Sequence, residues 1–366
     1  MLGFLLAKPT QFDAPFFKWI QACRPGFPFR VFYWRPVQTA AATDGETGAS
    51  LTWGFNLLEG YGWEEVNPLK PDEFGKILQG WGIRYLVCNG WKQGFAPLVA
   101  GASKWGIPLG LRIDSVLWGK SPVEMWARRI WLGRAYRRFS HFFSSGTVGD
   151  EYLHAMGYGR EKIRRWPYCI DMGLFAPGPE NIARATALKA KYGLDDRPIV
   201  LAVCKWVDRE NPVELMRAFV QLNRCDIQLV MIGDGPWSGP LNKLKKESPQ
   251  LPILFPGYVP YLELPAWYAM AKLFVHTASC EVWGVSIQEA MAAGCAVIGS
   301  TRVGSGYDLI REGQNGFQYP LGNVSALAHC IEKALALPAE TIDSANNVVL
   351  KDWDYPAIYR HFEGLW

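Results

Sequence analysis

FVHTASCEVWGVSIQEAMAAGCAVIGSTRVGSGYDLIREGQNG, residues 274 to 316, decides how this chain is read. An apolar strand, Leu273 to His276, runs into a short loop. A helix opens near Ser286, and a second apolar strand follows at Ala296 to Ile298. Two carboxylates, Glu281 and Glu289, stand eight residues apart, one in the loop and one in the helix's first turn. Trp283 and Gly284 lie between them, and a bare glycine backbone lets a ligand approach closely. The helix N-terminus at Val285 and Ser286 presents unpaired N–H groups and a partial positive charge, a natural seat for phosphate. Carboxylates beside such a seat suit a ligand that also carries hydroxyls. A nucleotide diphosphate sugar, with ribose diol, diphosphate and sugar hydroxyls, has that layout. The same residues also read as a capping box, Ser286 to Glu289, with Gly294 as the helix stop. The box leaves Glu281, Trp283 and Gly284 without a role.

Strand-like and helical segments alternate outward from this stretch. In the first half the strands are Gly3–Ala7, Arg30–Tyr33, Arg84–Asn89, Pro108–Ile113 and Phe142–Ser145. Helical patterns near Asp13–Ala22, Phe95–Trp105, Val123–Arg138 and Asp150–Met156 separate most of them. The second half repeats the alternation with Ile199–Cys204, Gln228–Ile232 and Ile253–Phe255 before Leu273–His276. The pattern predicts an α/β chain of two doubly wound, Rossmann-like domains facing across a cleft, with ligands beyond the strands' carboxyl ends. The expected domains are residues 1–178 and 179–350, joined by a connector at Asp171–Asp196. The aromatic-rich tail, 351–366, is expected to be helical and resembles a final helix that crosses back to the first domain.

Composition agrees with a folded enzyme. The 366 residues suffice for two cores, with 49% hydrophobic and 20% charged residues. The start, MLGFLLAKPTQFDAP, is too short in apolar residues for a signal peptide, and no stretch approaches a membrane span. Eight scattered cysteines show no metal or redox spacing, which fits a reducing cytoplasm. Residues 1–178 carry 21 Lys/Arg and 14 Asp/Glu, the rest 17 and 20, so the first half is basic. An anionic surface or substrate suits that half; no nucleic-acid module accompanies the charge.

The central stretch resembles the sugar-nucleotide loop of glycosyltransferase family four, in which two glutamates flank an aromatic-Gly pair. Glu281, Trp283-Gly284, Glu289-Ala290-Met291-Ala292 and Gly294 carry the match. It continues through Val303-Gly304, Asp308-Leu309-Ile310 and Asn315-Gly316, and back through Gly257-Tyr258-Val259, Glu263-Leu264-Pro265 and Tyr268-Ala269. The resemblance implies the GT-B fold and transfer of a sugar from a nucleotide diphosphate sugar to a hydroxyl acceptor with retention of configuration. It implies that Glu281 holds sugar hydroxyls and Glu289 the ribose. Lys205, immediately after a strand, would neutralise the departing diphosphate, with no cofactor and no metal required. The family's second cation falls at Glu210 here, so Arg209 is the substitute, with Glu210 turned away or paired to a neighbouring cation. Gly233 and Gly235 resemble the turn lining the nucleotide pocket, a short motif that is otherwise an ordinary turn. Tyr258 and Val259 fall where the base is held.

In the first half, Arg112-Ile113-Asp114-Ser115 closes a strand, and Asp114 is a candidate polar group near the sugar or else a helix cap. Asp44-Gly45-Glu46 and Trp53-Gly54 resemble a stretch found in a subset of these enzymes, and the long polar stretch Gln38–Ser50 is expected to be an acceptor loop or locally mobile. Lys120 to His141 sets Arg128, Arg129, Arg134, Arg137 and Arg138 among aromatics, as a membrane-surface helix does. Stepping about 100° per residue spreads those arginines round most of the circumference, so an ordinary domain helix is the alternative. The expected protein is a retaining hexosyltransferase of glycan or cell-envelope polysaccharide synthesis. It would act in the cytoplasm or at the membrane's inner face, on a glycan or lipid-linked acceptor. A non-catalytic nucleotide-sugar-binding subunit and a non-hydrolysing epimerase are the alternatives.

Overall fold

The computed structural model describes residues 1–35, 42–43, 50–51, 54–66 and 70–365. The chain forms two compact units. One takes in the described residues of Met1–Ala40, Phe55–Cys169 and Tyr355–Trp366; the other takes in those of Ala41–Gly54 and Ile170–Asp354. The acceptor-loop residues Asp44-Gly45-Glu46 and Trp53 lie outside the described residues.

The first unit is built on a seven-stranded sheet. Its strands are β1 (Leu2–Leu6), β2 (Phe29–Tyr33), β5 (Trp63–Glu65), β6 (Tyr85–Cys88), β7 (Leu109–Ile113), β8 (Phe139–Ser144) and β9 (Ile163–Arg165). Between β2 and β5, β3 (Ala42–Thr43) and β4 (Ser50–Leu51) form a separate antiparallel pair. The sheet order is β5-β2-β1-β6-β7-β8-β9, all parallel. Sequences such as LGFLL and YLVC are wholly buried, as strands covered on both faces must be. Strands β5 and β9, reading WEE and IRR, lack an apolar run because they lie at the sheet's edges.

The second unit holds six parallel strands: β10 (Ile199–Val203), β11 (Gln228–Ile232), β12 (Ile253–Gly257), β13 (Leu273–His276), β14 (Ala296–Ser300) and β15 (Gly316–Tyr319). Their order is β12-β11-β10-β13-β14-β15, so the winding reverses between β10 and β13. Beyond the carboxyl ends of those two strands lies the crevice that doubly wound sheets offer to ligands.

The units part between Cys169 and Ile170, not between 178 and 179. The connector is also more ordered than its composition suggests. Asp171 caps a short helix, Met172–Phe175, by accepting from the Gly173 and Leu174 N–H groups. Phe175 is buried and packs on Tyr261 and Tyr268, which commits this segment to the second unit. A longer helix, Pro179–Tyr192, starts at a proline and stops at left-handed Gly193. The tail divides as well: Trp353 packs on Trp283 in the second unit, whereas Tyr355–Tyr359 and the 3-10 turn Arg360–Phe362 belong to the first.

Candidate functional site

The chain leaves β10 through Cys204, Lys205 and Trp206 and enters a 3-10 turn, Asp208–Glu210. Asn211, in the left-handed conformation, ends that turn, and Pro212 begins the next helix. This loop is laced to the one leaving β13. Thr277 Oγ1 lies 3.0 Å from the carbonyls of both Glu210 and Asn211, and the Ser279 N–H donates to the Arg209 carbonyl at 2.7 Å. The two strands at the switch point therefore carry one joined loop cluster.

Arg209 and Glu210 diverge from the turn and meet at one nitrogen. Arg209 Nη1 is 2.8 Å from Glu210 Oε1 and 3.1 Å from Glu281 Oε2. Glu210 turns inward, 6% exposed, with its other oxygen 3.4 Å from His276 Nε2. That contact lies outside hydrogen-bond geometry. His276 Nδ1 in turn is 2.9 Å from Ser286 Oγ. Glu210 is thus paired with a neighbouring cation, as the residue pattern requires of a carboxylate at this position. Lys205 is half-buried and has partners within the protein.

Glu281 is partly exposed, and its backbone is pinned. Its N–H donates to the Arg302 carbonyl at 2.9 Å, and its carbonyl accepts from Gly304 N–H at 2.8 Å. Helix Val285–Ala292 begins after Gly284, which has φ +86° and no capping side chain. A Cβ on Gly284 would stand 2.7 Å from Val303 Cγ1, so close packing and left-handed backbone both demand glycine. The capping box is not formed: Ser286 is already inside the helix and bonds His276, and Glu289 stands in the second turn, not the first. Glu289 is 3% exposed and accepts from Tyr268 Oη at 2.8 Å. Burial pushes its carboxyl up to about 7, opposed by the Tyr268 hydrogen bond and by nearby His276.

Three candidates have structural duties that change their reading. Trp283 is fully buried and stacks at 4.6 Å, tilted, on Trp353, so its side chain is core and only its backbone borders the loop. Gly233 abuts the β10 loop so tightly that a Cβ would fall 1.9 Å from the Cys204 carbonyl oxygen, which explains the glycine by packing alone. The Gly235 N–H is taken by Asp234 Oδ1 at 2.7 Å. Tyr258 is exposed and Val259 buried, so a flat side chain and a backbone are what this stretch presents.

Asp114, in the first unit, follows β7 and is exposed. It accepts from Ser145 Oγ at 2.9 Å and from Tyr168 Oη at 2.5 Å. It caps no helix; Ser121 caps the following one, Pro122–Tyr136. Arg112 beside it is buried, ion-paired to Asp13 at 2.9 Å, with Trp166 and Tyr168 rings at 4.3 and 4.2 Å. Among the described residues no cluster of three His, Cys, Asp or Glu side chains suits a metal ion. Sequence reasoning passed over His276, whose only signal is a polar side chain ending an apolar strand.

Two doubly wound units, with a loop cluster at the switch point of the second, define the GT-B class of fold. HepE from Anabaena, crystallised with UDP and glucose, shares it with a TM-score of 0.71 over 98% of this chain and 97% of that one, at 18% identity. Within that class, residues 185–348 match the family described as glycosyl transferases group 1. A GDP-mannose-dependent alpha-(1-6)-phosphatidylinositol monomannoside mannosyltransferase of Mycolicibacterium smegmatis is 29% identical over 200 residues, 52% of this chain and 51% of that protein. A GDP-mannose-dependent alpha-mannosyltransferase of Mycobacterium tuberculosis is 28% identical over 242 residues, 63% and 55% respectively. The matched stretch spans about half the length of these relatives.

Proposed function

We propose that the chain transfers a sugar from a nucleotide diphosphate sugar to a hydroxyl acceptor, with retention of configuration. The observation that carries this is the pairing of Arg209 with Glu281 at 3.1 Å beside the uncapped start of helix Val285–Ala292. An arginine held by a carboxylate where both side chains are partly exposed is an exchangeable partner. An incoming diphosphate, with more charge and more acceptor oxygens, competes for the guanidinium. Its capture frees Glu281 to accept hydrogen bonds from sugar hydroxyls. Lys205 adds a second cation, and the first N–H groups of the helix face the same anion. As the bond from the sugar carbon to the diphosphate oxygen breaks, these groups take up the developing charge, so no metal is needed for that step. Glu289 offers the ribose at most its one oxygen not bonded to Tyr268, and Asp114 is the polar group assigned to the sugar's side of the reaction. Gly233, Gly235, Tyr258 and Val259 border the nucleoside, Trp283 through its backbone.

The acceptor class is a glycan or lipid-linked sugar, in keeping with the phosphatidylinositol mannoside in one relative's name. Such a role belongs to envelope or polysaccharide synthesis at the membrane's inner face. No described helix is long and apolar enough to cross a membrane. The test is thermal stability against nucleotides and nucleotide sugars, GDP-mannose and UDP-glucose included, followed by turnover in excess chelator. A cognate ligand at a hundred times its dissociation constant stabilises by about 2.7 kcal/mol. If no nucleotide shifts the melting temperature, the donor site is misassigned. If chelation abolishes turnover and manganese restores it, the metal-free step is wrong.

A further inference from the structure

Helix Pro122–Tyr136 buries Met125, Leu132 and Tyr136, which fixes its inward face. The opposite side is unusual for a protein surface. Val123, Trp126, Ile130 and Trp131 are 74%, 66%, 59% and 70% exposed, four of the largest exposed apolar side chains among the described residues. At about 100° per residue they all fall within roughly 80° of the direction opposite Met125. Arg134 shares that direction, and exposed Arg137 and Arg138 extend it past the helix end. The arginines that spread round the circumference are accounted for on the flanks. Arg128 is paired to Glu124 at 2.8 Å, and Arg129 lies against Gly157. Glu124 is the sole carboxylate between residues 115 and 149, and that pair occupies it. The outward face therefore combines two tryptophans, two aliphatic side chains and three cations, and the one carboxylate at its edge, Glu124, is paired to Arg128. Lys92, 5.1 Å from the Trp131 ring, adds a fourth cation at its edge.

We propose that this face docks on an anionic lipid bilayer, tryptophans at headgroup depth and arginines on the phosphates. Exposed indoles favour the interface between water and hydrocarbon, and arginines favour a negatively charged leaflet. A second copy of the chain fits less well, because a self-complementary contact would oppose the same cations with no carboxylate of this helix but Glu124, which Arg128 already occupies. Docking here needs neither donor nor acceptor, so it stands or falls separately from the transferase reading.

The full chain is sedimented with vesicles of phosphatidylcholine alone, or of phosphatidylcholine with phosphatidylglycerol, at rising salt. Partition to the anionic vesicles is expected to exceed partition to the neutral ones and to fall with salt. Arg134→Glu, Arg137→Glu and Arg138→Glu together should weaken it roughly 100-fold or more, since each arginine near such a surface strengthens binding roughly five-fold. Trp126→Ser, Ile130→Ser and Trp131→Ser together should remove the part that survives high salt. All six side chains are exposed, so melting temperature should stay as in the parent. Equal partition of parent and both variants overturns the proposal. So does failure to bind anionic vesicles, including the case where the serine variant instead abolishes a dimer of the parent.

Discussion

Glu289 carries a carboxyl pushed up to about 7 in a pocket with Tyr268 and His276, and this has a consequence for stability. In the unfolded chain the same group titrates near 4.5. Between those values the folded state keeps a proton that the unfolded state releases. Stability therefore falls as pH rises from about 4.5 to about 7 and levels off above, by an amount on the order of 3 kcal/mol. Glu289→Gln keeps an acceptor for Tyr268 and abolishes the charge, so its urea-melt stability should lose that slope and exceed the parent's at pH 8. An unchanged slope would show that another group is responsible. Arg209, Glu210 and Lys205 make a second test. Lys205→Ala and Arg209→Ala each remove a cation proposed to face the leaving group, with an expected loss of roughly 100-fold in turnover. Glu210→Ala should cost less turnover, because that carboxylate points inward to His276. Were it the most damaging of the three, Glu210 would be acting on substrate. Much of this site was legible in the residues: Glu281, Gly284 and Lys205 lie where strand ends and a helix start put them. The Arg209–Glu281 pair was not, because no local pattern says which of many distant carboxylates a loop arginine will meet. Trp283 misled for the same reason, its partner Trp353 being supplied by a remote segment.

At the scale of elements, the central strands were plain, and of the edge strands only β12 was. Strands such as β1 and β6 are apolar throughout because helices cover both faces, whereas β5, β9 and β15 mix polar residues into three or four positions. The start of helix Val285–Ala292 shows how a good local signal can lose. Ser286 to Glu289 fits a capping box, but left-handed Gly284 starts the helix earlier, and tertiary partners claim both side chains. Gly284 is therefore the residue on which the loop's path depends. Gly284→Ala forces a left-handed alanine, costing about 1–2 kcal/mol, and drives Cβ into Val303 besides. The expected outcome is a loss of at least that stability and weaker nucleotide binding, read by urea melts and calorimetry. A variant with full stability would mean the loop has another path open to it, and the glycine argument would fail.

At the scale of the whole molecule, the chain's last residues complete the unit that its first residues begin. Phe362 is fully buried, with its ring 5.2 Å from Phe4, 6.0 Å from Phe16, 5.2 Å from Phe143 and 5.4 Å from Trp166. Such an aromatic cluster draws on strands β1 and β8, the helix Asp13–Cys23 and the segment Tyr355–Phe362, so the first unit is not closed until that distant segment has joined it. A terminal helix was foreseeable from its aromatic residues; its packing partners were not, since they come from four separate segments. Phe362→Ala removes a large buried ring, at a cost of roughly 3–5 kcal/mol. For a unit of this size that corresponds to a melting temperature lowered by about 10 °C. Calorimetry should show the loss in the first unit's transition, while any nucleotide that stabilises the parent still stabilises the variant, because the donor-site residues all lie in the other unit. Unchanged melting would mean the tail is only appended to the first unit. Loss of nucleotide binding would mean that the second unit's site depends on the tail as well.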